Sequence, residues 1–170
     1  MTRRAAIVVA ALALVIAIAL SPHKASAHCT DPPGPGVNWQ RCNFDGLDLV
    51  AVDLTGARLR DASFFRAHLS GSNLSKAQCS RAKFVNAGMT SAVLDDAELF
   101  EADFTKADLT GASLVGADLR RARLFRSILR GANLAGARLA GADLTRADLS
   151  GATWTDGIRV CAEGSVGRCN

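Results

Sequence analysis

The sequence has few of the side chains on which most catalytic and metal sites depend. Its 170 residues include no tyrosine and three histidines, and beyond residue 27 only His28 and His68 remain. A Ser–His or Cys–His pair needs a base within hydrogen-bond reach of its nucleophile, and a zinc site needs clustered cysteine and histidine. The sequence supplies neither arrangement. We therefore expect no catalytic residue, no metal site and no cofactor in a protein that is not an enzyme.

Phosphate-binding loops and a large excess of basic residues are also missing. The glycines follow a five-residue spacing instead of clustering in a nucleotide-binding loop. Residues 1–27 carry three bases and no acid, so residues 28–170 hold 17 bases against 16 acids. Nucleic-acid binding needs a clustered basic surface, and this nearly balanced charge does not favour one. We expect no nucleic-acid partner.

The N-terminal residues 1–27 have the layout of a secretory signal peptide. A short basic start precedes an uninterrupted apolar run over residues 5–20, and Ala25-Ser26-Ala27 supplies small residues where a signal peptidase cleaves. The sequence predicts cleavage after Ala27 and a secreted or extracytoplasmic protein with no remaining membrane span. The alternative is an uncleaved signal that anchors the chain in the membrane, because this run approaches the ~17 residues that a span needs.

Beyond the signal, an apolar residue recurs at every fifth position. From Trp39 to Trp154 all 24 positions ending in 4 or 9 are apolar, and 16 of them are leucine. A small residue, mostly alanine, stands two positions earlier. Residues five apart lie about 140° apart around an α-helix, so they would form no helical stripe. A strand-like triplet followed by a two-residue corner fits the period, and the pattern predicts an all-β coil over residues 37–156.

Phenylalanine indicates how many residues make one coil. Four phenylalanines occupy inward positions, and each is separated from the next by 20 residues. Four five-residue sides would close such a coil, so the 24 units make about six coils. At about 4.8 Å per coil the stack is a little under 30 Å tall. We expect one inner ladder with six rungs: Phe44, Phe64, Phe84, Phe104, Leu124 and Leu144.

The tandem motif Ala-(Asp/Asn)-Leu-x-Gly resembles the pentapeptide-repeat proteins, as at residues 107–109 and 132–134. The resemblance covers residues 37–156 and implies a right-handed quadrilateral β-helix with the leucine and phenylalanine positions inside. A solenoid needs a cap at each end. We expect an N-terminal cap over residues 28–36 and a C-terminal cap over residues 157–170.

The cysteines are expected to close both caps. We predict one disulfide between Cys29 and Cys42, and a second between Cys161 and Cys169, where an eight-residue separation suits a hairpin-like loop. Export to an oxidising compartment is consistent with such bridges. Cys79 stands at an inward position, and we expect a buried free thiol there.

Sorting the outward residues by the 20-residue period distinguishes one face from the others. One column carries two outward phenylalanines, and the adjacent column is mostly basic. Aromatic and arginine side chains are enriched in the hot spots of protein interfaces. The rings could be exposed beside the bases or tucked against the wall of the coil, and the pattern leaves both arrangements open. The predicted interaction face consists of Phe65, Arg66, Val85, Lys106, Phe125, Arg126 and Arg146.

A further corner column alternates in charge from coil to coil. Opposite charges on successive coils favour a ladder of surface ion pairs, each of small value. The residues of this column are Arg41, Asp61, Arg81, Glu101 and Arg121.

We therefore expect an exported, non-catalytic scaffold that presents the interaction face to an unknown protein or to an anionic component of the cell envelope. The resemblance implies a second role, because some pentapeptide-repeat proteins mimic duplex DNA and protect a type II topoisomerase. That role needs a cytoplasmic location and a strongly acidic surface, which the signal peptide and the nearly balanced charge disfavour. A structural spacer without a specific partner is a third possibility. The pattern predicts neither the partner nor the oligomeric state.

Overall fold

The computed structural model describes residues 28–170, and the predicted signal peptide lies outside the described residues. Within them the backbone repeats a five-residue unit that contains one β-bridged residue and a two-residue turn. Residues 28–170 contain no helix, and their β-structure consists of isolated bridges. Accordingly, no helix in this part of the chain is long and apolar enough to cross a membrane.

Twenty parallel bridges stack the units into a solenoid. Each bridge joins residues 20 apart, from the pair Asn38 and Arg58 to the pair Asn133 and Thr153. One coil therefore takes 20 residues, which agrees with the spacing predicted from phenylalanine. The bridges fall into four columns, which we call sides. Sides 1, 2, 3 and 4 begin at Asn38, Asn43, Asp48 and Asp53.

Main-chain hydrogen bonds between successive coils hold the stack together. On side 2, the Phe64 amide donates to the carbonyl of Lys83 at 2.7 Å, and the Lys83 amide donates back to Ala62 at 2.9 Å. The predicted strand-like triplet is shorter in the structure, where a single residue per side forms the bridge. The reason is that a turn begins two residues after each bridged residue, before a longer ladder can form.

The inward positions form a continuous core. The leucine positions from Leu54 to Leu134 are fully buried, and the alanines two residues before them pack into the same core. Phe44, Phe64, Phe84 and Phe104 stack as one ladder, with successive ring centroids 5.4, 5.2 and 4.9 Å apart. Burying this apolar surface is the main stabilising contribution to the fold.

The N-terminal end of the core is closed by Trp39. Its ring lies 4.2 Å from that of Phe44, and its indole Nε1 donates to the Asp31 carbonyl at 3.2 Å. A disulfide joins Cys29 to Cys42, so the lead segment is tied to the first coil.

The C-terminal end is covered only in part. Val160 and Val166 pair antiparallel with sides 4 and 3 of the last coil, and the Cys161–Cys169 disulfide closes this segment. Sides 1 and 2 receive no such strand within residues 28–170. Leu139 and Leu144 are consequently only half-buried, so the last rung of the predicted ladder is partly open to solvent.

Candidate interaction surface

The two outward phenylalanines of the predicted face lie beneath arginines. Phe65 and Phe125 are half-buried, and each ring faces the guanidinium of the next residue. Cζ of Arg66 lies 4.8 Å from the Phe65 centroid, and Cζ of Arg126 lies 6.0 Å from the Phe125 centroid. Such contacts contribute about 0.5–1 kcal/mol at exposed sites. The structure therefore lies between the two arrangements left open by the sequence: the rings are neither fully exposed nor fully tucked away.

Arg66, Lys106, Arg126 and Arg146 form a column that we call the basic ridge. They stand at the corner between sides 2 and 3, one above another at intervals of one or two coils, and all four are exposed. Among the described residues, no carboxylate lies within ion-pair distance of any of them. The ridge is therefore a row of charges that the described part of the protein does not neutralise locally.

The opposite corner of side 2 behaves differently. Arg81 donates two hydrogen bonds to Asp61, at 2.7 and 2.9 Å, and Arg121 lies 3.3 Å from Glu101. The hydrogen bond from Arg81 lowers the pKa of the Asp61 carboxyl below its ordinary value. Alternating charge along this paired corner thus produces two of the four successive ion pairs that a continuous ladder would contain, in contrast to the ridge.

The ridge residues have the left-handed backbone conformation that all corners of the solenoid share. All four ridge residues have φ between 57° and 60°, in the left-handed region. For a residue other than glycine this conformation costs about 1–2 kcal/mol. At the corner between sides 3 and 4, four equivalent positions are glycine, whereas Gly46 is the only one at the ridge corner. The paired corner likewise has a single glycine, Gly141, so both corners of side 2 accept long side chains in this conformation and the conformation alone does not mark the ridge.

The remaining acid on this face is engaged elsewhere. The Asp45 carboxylate accepts hydrogen bonds from the Phe65 amide at 3.0 Å and from the Ser63 hydroxyl. Val85, between the two phenylalanines in the same column, is half-buried. This column therefore forms a partly apolar strip beside the ridge, and its one carboxylate is already satisfied.

Sequence reasoning missed a second aromatic–basic contact. Phe100 is half-buried at the corner between sides 1 and 2, and the guanidinium carbons of Arg120 and Arg121 lie 5.8 and 5.9 Å from its centroid. The available signal was a phenylalanine at an outward position with an arginine one coil, or 20 residues, later. Phe100 was the only aromatic residue in its column, so the column did not stand out.

An open groove of about 410 Å³ runs along side 2 beside the paired corner. Its two acids face bases, with Arg121 3.3 Å from Glu101 and Arg123 3.7 Å from Asp103. The bases and acids of the lining therefore largely neutralise each other across successive coils. It is lined by Arg81, Lys83, Glu101, Asp103, Arg121 and Arg123.

Other reactive groups are isolated from one another. Cys79 is buried and unpaired, and burial raises the pKa of its thiol. His68 lies exposed on side 3. Residues 28–170 contain no group of three histidine, cysteine or acidic side chains able to hold a metal ion.

Known families match most of the solenoid. The family described as "Pentapeptide repeat region" matches residues 57–134, and the family "Pentapeptide repeats (8 copies)" matches residues 35–61 and 127–153. Together these matches cover residues 35–153. No curated protein matches the chain.

Solved structures similar to this chain include a cyanobacterial protein, a plasmid-mediated resistance protein and a plant protein. HetL, a pentapeptide repeat protein involved in heterocyst differentiation regulation in Nostoc, is 33% identical over 76% of this chain and 73% of its own, with a TM-score of 0.45. Full-length QnrB1, a plasmid-mediated fluoroquinolone resistance protein, is 22% identical over 69% of this chain and 65% of its own, with a TM-score of 0.55. A pentapeptide repeat protein of the Arabidopsis thaliana thylakoid lumen is 25% identical over 74% and 79%, with a TM-score of 0.34.

Proposed function

The chain belongs to the pentapeptide-repeat family, and from this premise we propose that it is an exported, non-catalytic scaffold whose aromatic–basic face binds a partner outside the cytoplasm. We also propose that its 24 units form about six coils of a right-handed quadrilateral β-helix. The four columns of parallel bridges and the 20-residue register support this geometry. A solenoid of this kind presents side chains at fixed spacing, which suits binding along a surface.

The observation that carries the proposal is the unpaired basic ridge. At the other corner of side 2, bases and acids neutralise each other, as in the contact between Arg81 and Asp61. The ridge bases are exposed and have no acidic partner within residues 28–170, and two of them, Arg66 and Arg126, lie over half-buried rings. A partner that supplied the missing negative charge would gain charge-assisted hydrogen bonds to preorganised guanidinium groups.

Export is supported by the residue pattern and by the disulfides. The signal-like arrangement of residues 1–27 precedes a region in which four of five cysteines are paired. Disulfides persist mainly in oxidising compartments. The likeness to QnrB1 is at 22% identity and concerns the fold alone, and the 17 bases and 16 acids of residues 28–170 give no reason to transfer its role.

The test is a pull-down from envelope and medium fractions with residues 28–170 as bait. The Phe65→Ala/Arg126→Glu variant removes a ring and reverses a charge on the proposed face. The Phe100→Ala/Lys76→Glu variant makes the same chemical changes at other corners and serves as the matched control. Circular dichroism verifies that all three baits are folded.

We expect one partner to be retained by the parent and the control and lost from the face variant. If all three baits retain the same proteins and the same anionic envelope components, the aromatic–basic face is not a binding site. A structural spacer without a specific partner would then be the better description.

A further inference from the structure

The charges of the solenoid are nearly balanced in number, but basic and acidic residues are distributed unequally between sides 1 and 2 and sides 3 and 4. Counting each five-residue unit, corner residues included, with the side of its bridged residue places 13 bases, four of them the ridge residues, and seven acids on sides 1 and 2. Sides 3 and 4 carry two bases and seven acids. One half of the surface is thus positive and the other negative. An anionic partner would be drawn to sides 1 and 2 and oriented by this field.

The basic ridge adds a spacing to this field. Ridge residues are separated by 20 or 40 positions, that is, by one or two coils. At about 4.8 Å per coil, the basic ridge extends from Arg66 to Arg146 for roughly 19 Å parallel to the solenoid axis. A single file of cations along one corner complements a single file of anions better than a broad anionic surface.

We infer that the basic ridge binds a linear, phosphate-bearing polyanion other than a nucleic acid, which lies along the corner between sides 2 and 3. This inference rests on the proposed function and names the chemistry of its partner. Three of the four ridge bases are arginine, whose planar guanidinium binds phosphate through two hydrogen bonds. Because no acid of the described residues pairs with the ridge, a phosphate would not have to displace an existing ion pair.

A lipid bilayer fits the surface less well. Proteins that lie on membranes insert exposed apolar side chains among their bases. Phe65 and Phe125 are instead half-buried and face arginines. Of the large exposed apolar residues, Val50, Ile158, Val160 and Val166 lie at the corner between sides 3 and 4 or in the C-terminal segment. Leu47 and Ile128 lie on side 3 next to the ridge corner, but they are four coils apart and form no continuous apolar strip.

Nucleic acids are also a poorer match. Proteins that bind single strands stack the bases on exposed aromatic rings, and here the rings face guanidinium groups instead. A duplex presents two rows of phosphates, whereas the ridge is one row on a convex corner. An anionic polymer that has no nucleobases needs only the row of positive charges that the ridge provides.

Glycine substitution provides a test that preserves the fold. Because the ridge residues already have the left-handed backbone conformation, replacing Arg126 and Arg146 with glycine removes two bases without forcing a new geometry. Replacing Arg81 and Arg121 with glycine removes two bases at equivalent left-handed positions of the paired corner. The two double variants therefore have the same net charge and the same kind of backbone change.

Binding of inorganic polyphosphate to residues 28–170 is measured by isothermal titration calorimetry at several salt concentrations. We expect Arg126→Gly/Arg146→Gly to weaken binding by at least about tenfold, because two charge-assisted contacts disappear. The slope of log affinity against log salt should fall by about 1.4, as for two lost phosphate contacts to a single strand. Arg81→Gly/Arg121→Gly should change affinity by less than about threefold, because these two arginines lie at the other corner of side 2 and are already paired with Asp61 and Glu101. Pyrophosphate should bind more weakly than the polymer because it cannot span the ridge.

Four results would overturn the inference. They are no binding of polyphosphate, equal weakening by both double variants, pyrophosphate binding as tightly as the polymer, and tighter binding of phosphatidylglycerol vesicles or single-stranded DNA than of polyphosphate. If polyphosphate fails while the pull-down still loses a protein with Phe65→Ala/Arg126→Glu, the face binds a protein and only the polyanion assignment is wrong. If both experiments fail, the proposed function is wrong as well.

Discussion

Replacing Phe84 by leucine tests how much the inner ring ladder contributes to stability. The Phe84 ring is fully buried, between Phe64 at 5.2 Å and Phe104 at 4.9 Å, with interplanar angles of 6° and 10°. Leucine keeps an apolar side chain at the position but removes both ring contacts. Each aromatic pair contributes about 0.5–1.5 kcal/mol beyond its buried area, so the variant should lose about 1–3 kcal/mol. A small cavity term adds to this loss.

The free energy of unfolding is measured by guanidinium titration, with far-UV circular dichroism as the signal and the disulfides intact. A thermal scan should show the melting temperature falling by about 4 °C for each kcal/mol lost. A double-mutant cycle isolates the ring contact. Phe64→Leu with Phe84→Leu removes neighbouring rings and should give a coupling energy of about 0.5–1.5 kcal/mol.

The matched control cycle combines Phe44→Leu with Phe84→Leu. These rings lie two coils apart with Phe64 between them, so their coupling should be within about 0.5 kcal/mol of zero. An unchanged unfolding midpoint for Phe84→Leu would refute the reasoning. Equal coupling in the two cycles would show that the loss comes from general core packing and not from ring stacking.

Three further predictions concern pH, the C-terminal cap and the free thiol. The pKa of Asp61 is lowered in the folded state, so the ionised carboxylate stabilises the fold at pH values above its unfolded pKa of about 4, and this stabilisation is lost as the pH falls further. The melting temperature of Arg81→Ala should therefore be lower than that of the parent at pH 6 and equal to it near pH 2. Cys161→Ser with Cys169→Ser should cost about 2–3 kcal/mol in the free energy of unfolding, and reductant should then have less effect on the variant's melting temperature than on the parent's. Cys79 should react with a thiol reagent only after denaturation, and labelling of the folded protein would contradict its burial.

The register of the solenoid was predictable because it depends on burial. The inward position that is usually leucine carries no polar side chain in any of the 24 units, so every fifth residue is apolar, and the large rings stack at the period of one coil. The 20-residue spacing of Phe44, Phe64, Phe84 and Phe104 therefore predicted the pairing that the bridges show. The paired corner was predictable for a similar reason, since opposite charges one coil apart lie within reach of each other.

The details of the candidate site were not predictable, because outward positions are under weaker constraint. Whether Phe65 lies exposed or covered depends on the rotamer of Arg66, and the five-residue pattern has no influence on that rotamer. The incomplete C-terminal cap depends on the path of residues 157–170, which lack the repeat. The single-residue bridges also differ from the predicted triplets, because periodicity defines which side chains point inward but not how far each β-ladder extends.

The 20-residue register determines which insertions and deletions this architecture can accept during evolution. Adding or removing 20 residues between two coils would lengthen or shorten the solenoid while leaving every later residue on its own side. Adding five residues would keep the core apolar, because the inward pattern is preserved, but it would move all later residues to the next corner. A five-residue duplication between Lys106 and Arg126 would thus yield a well-packed protein whose basic ridge is divided into two parts on different corners. Length variation among such chains should therefore proceed in steps of 20 residues wherever the surface is under selection, and in steps of five where only folding matters.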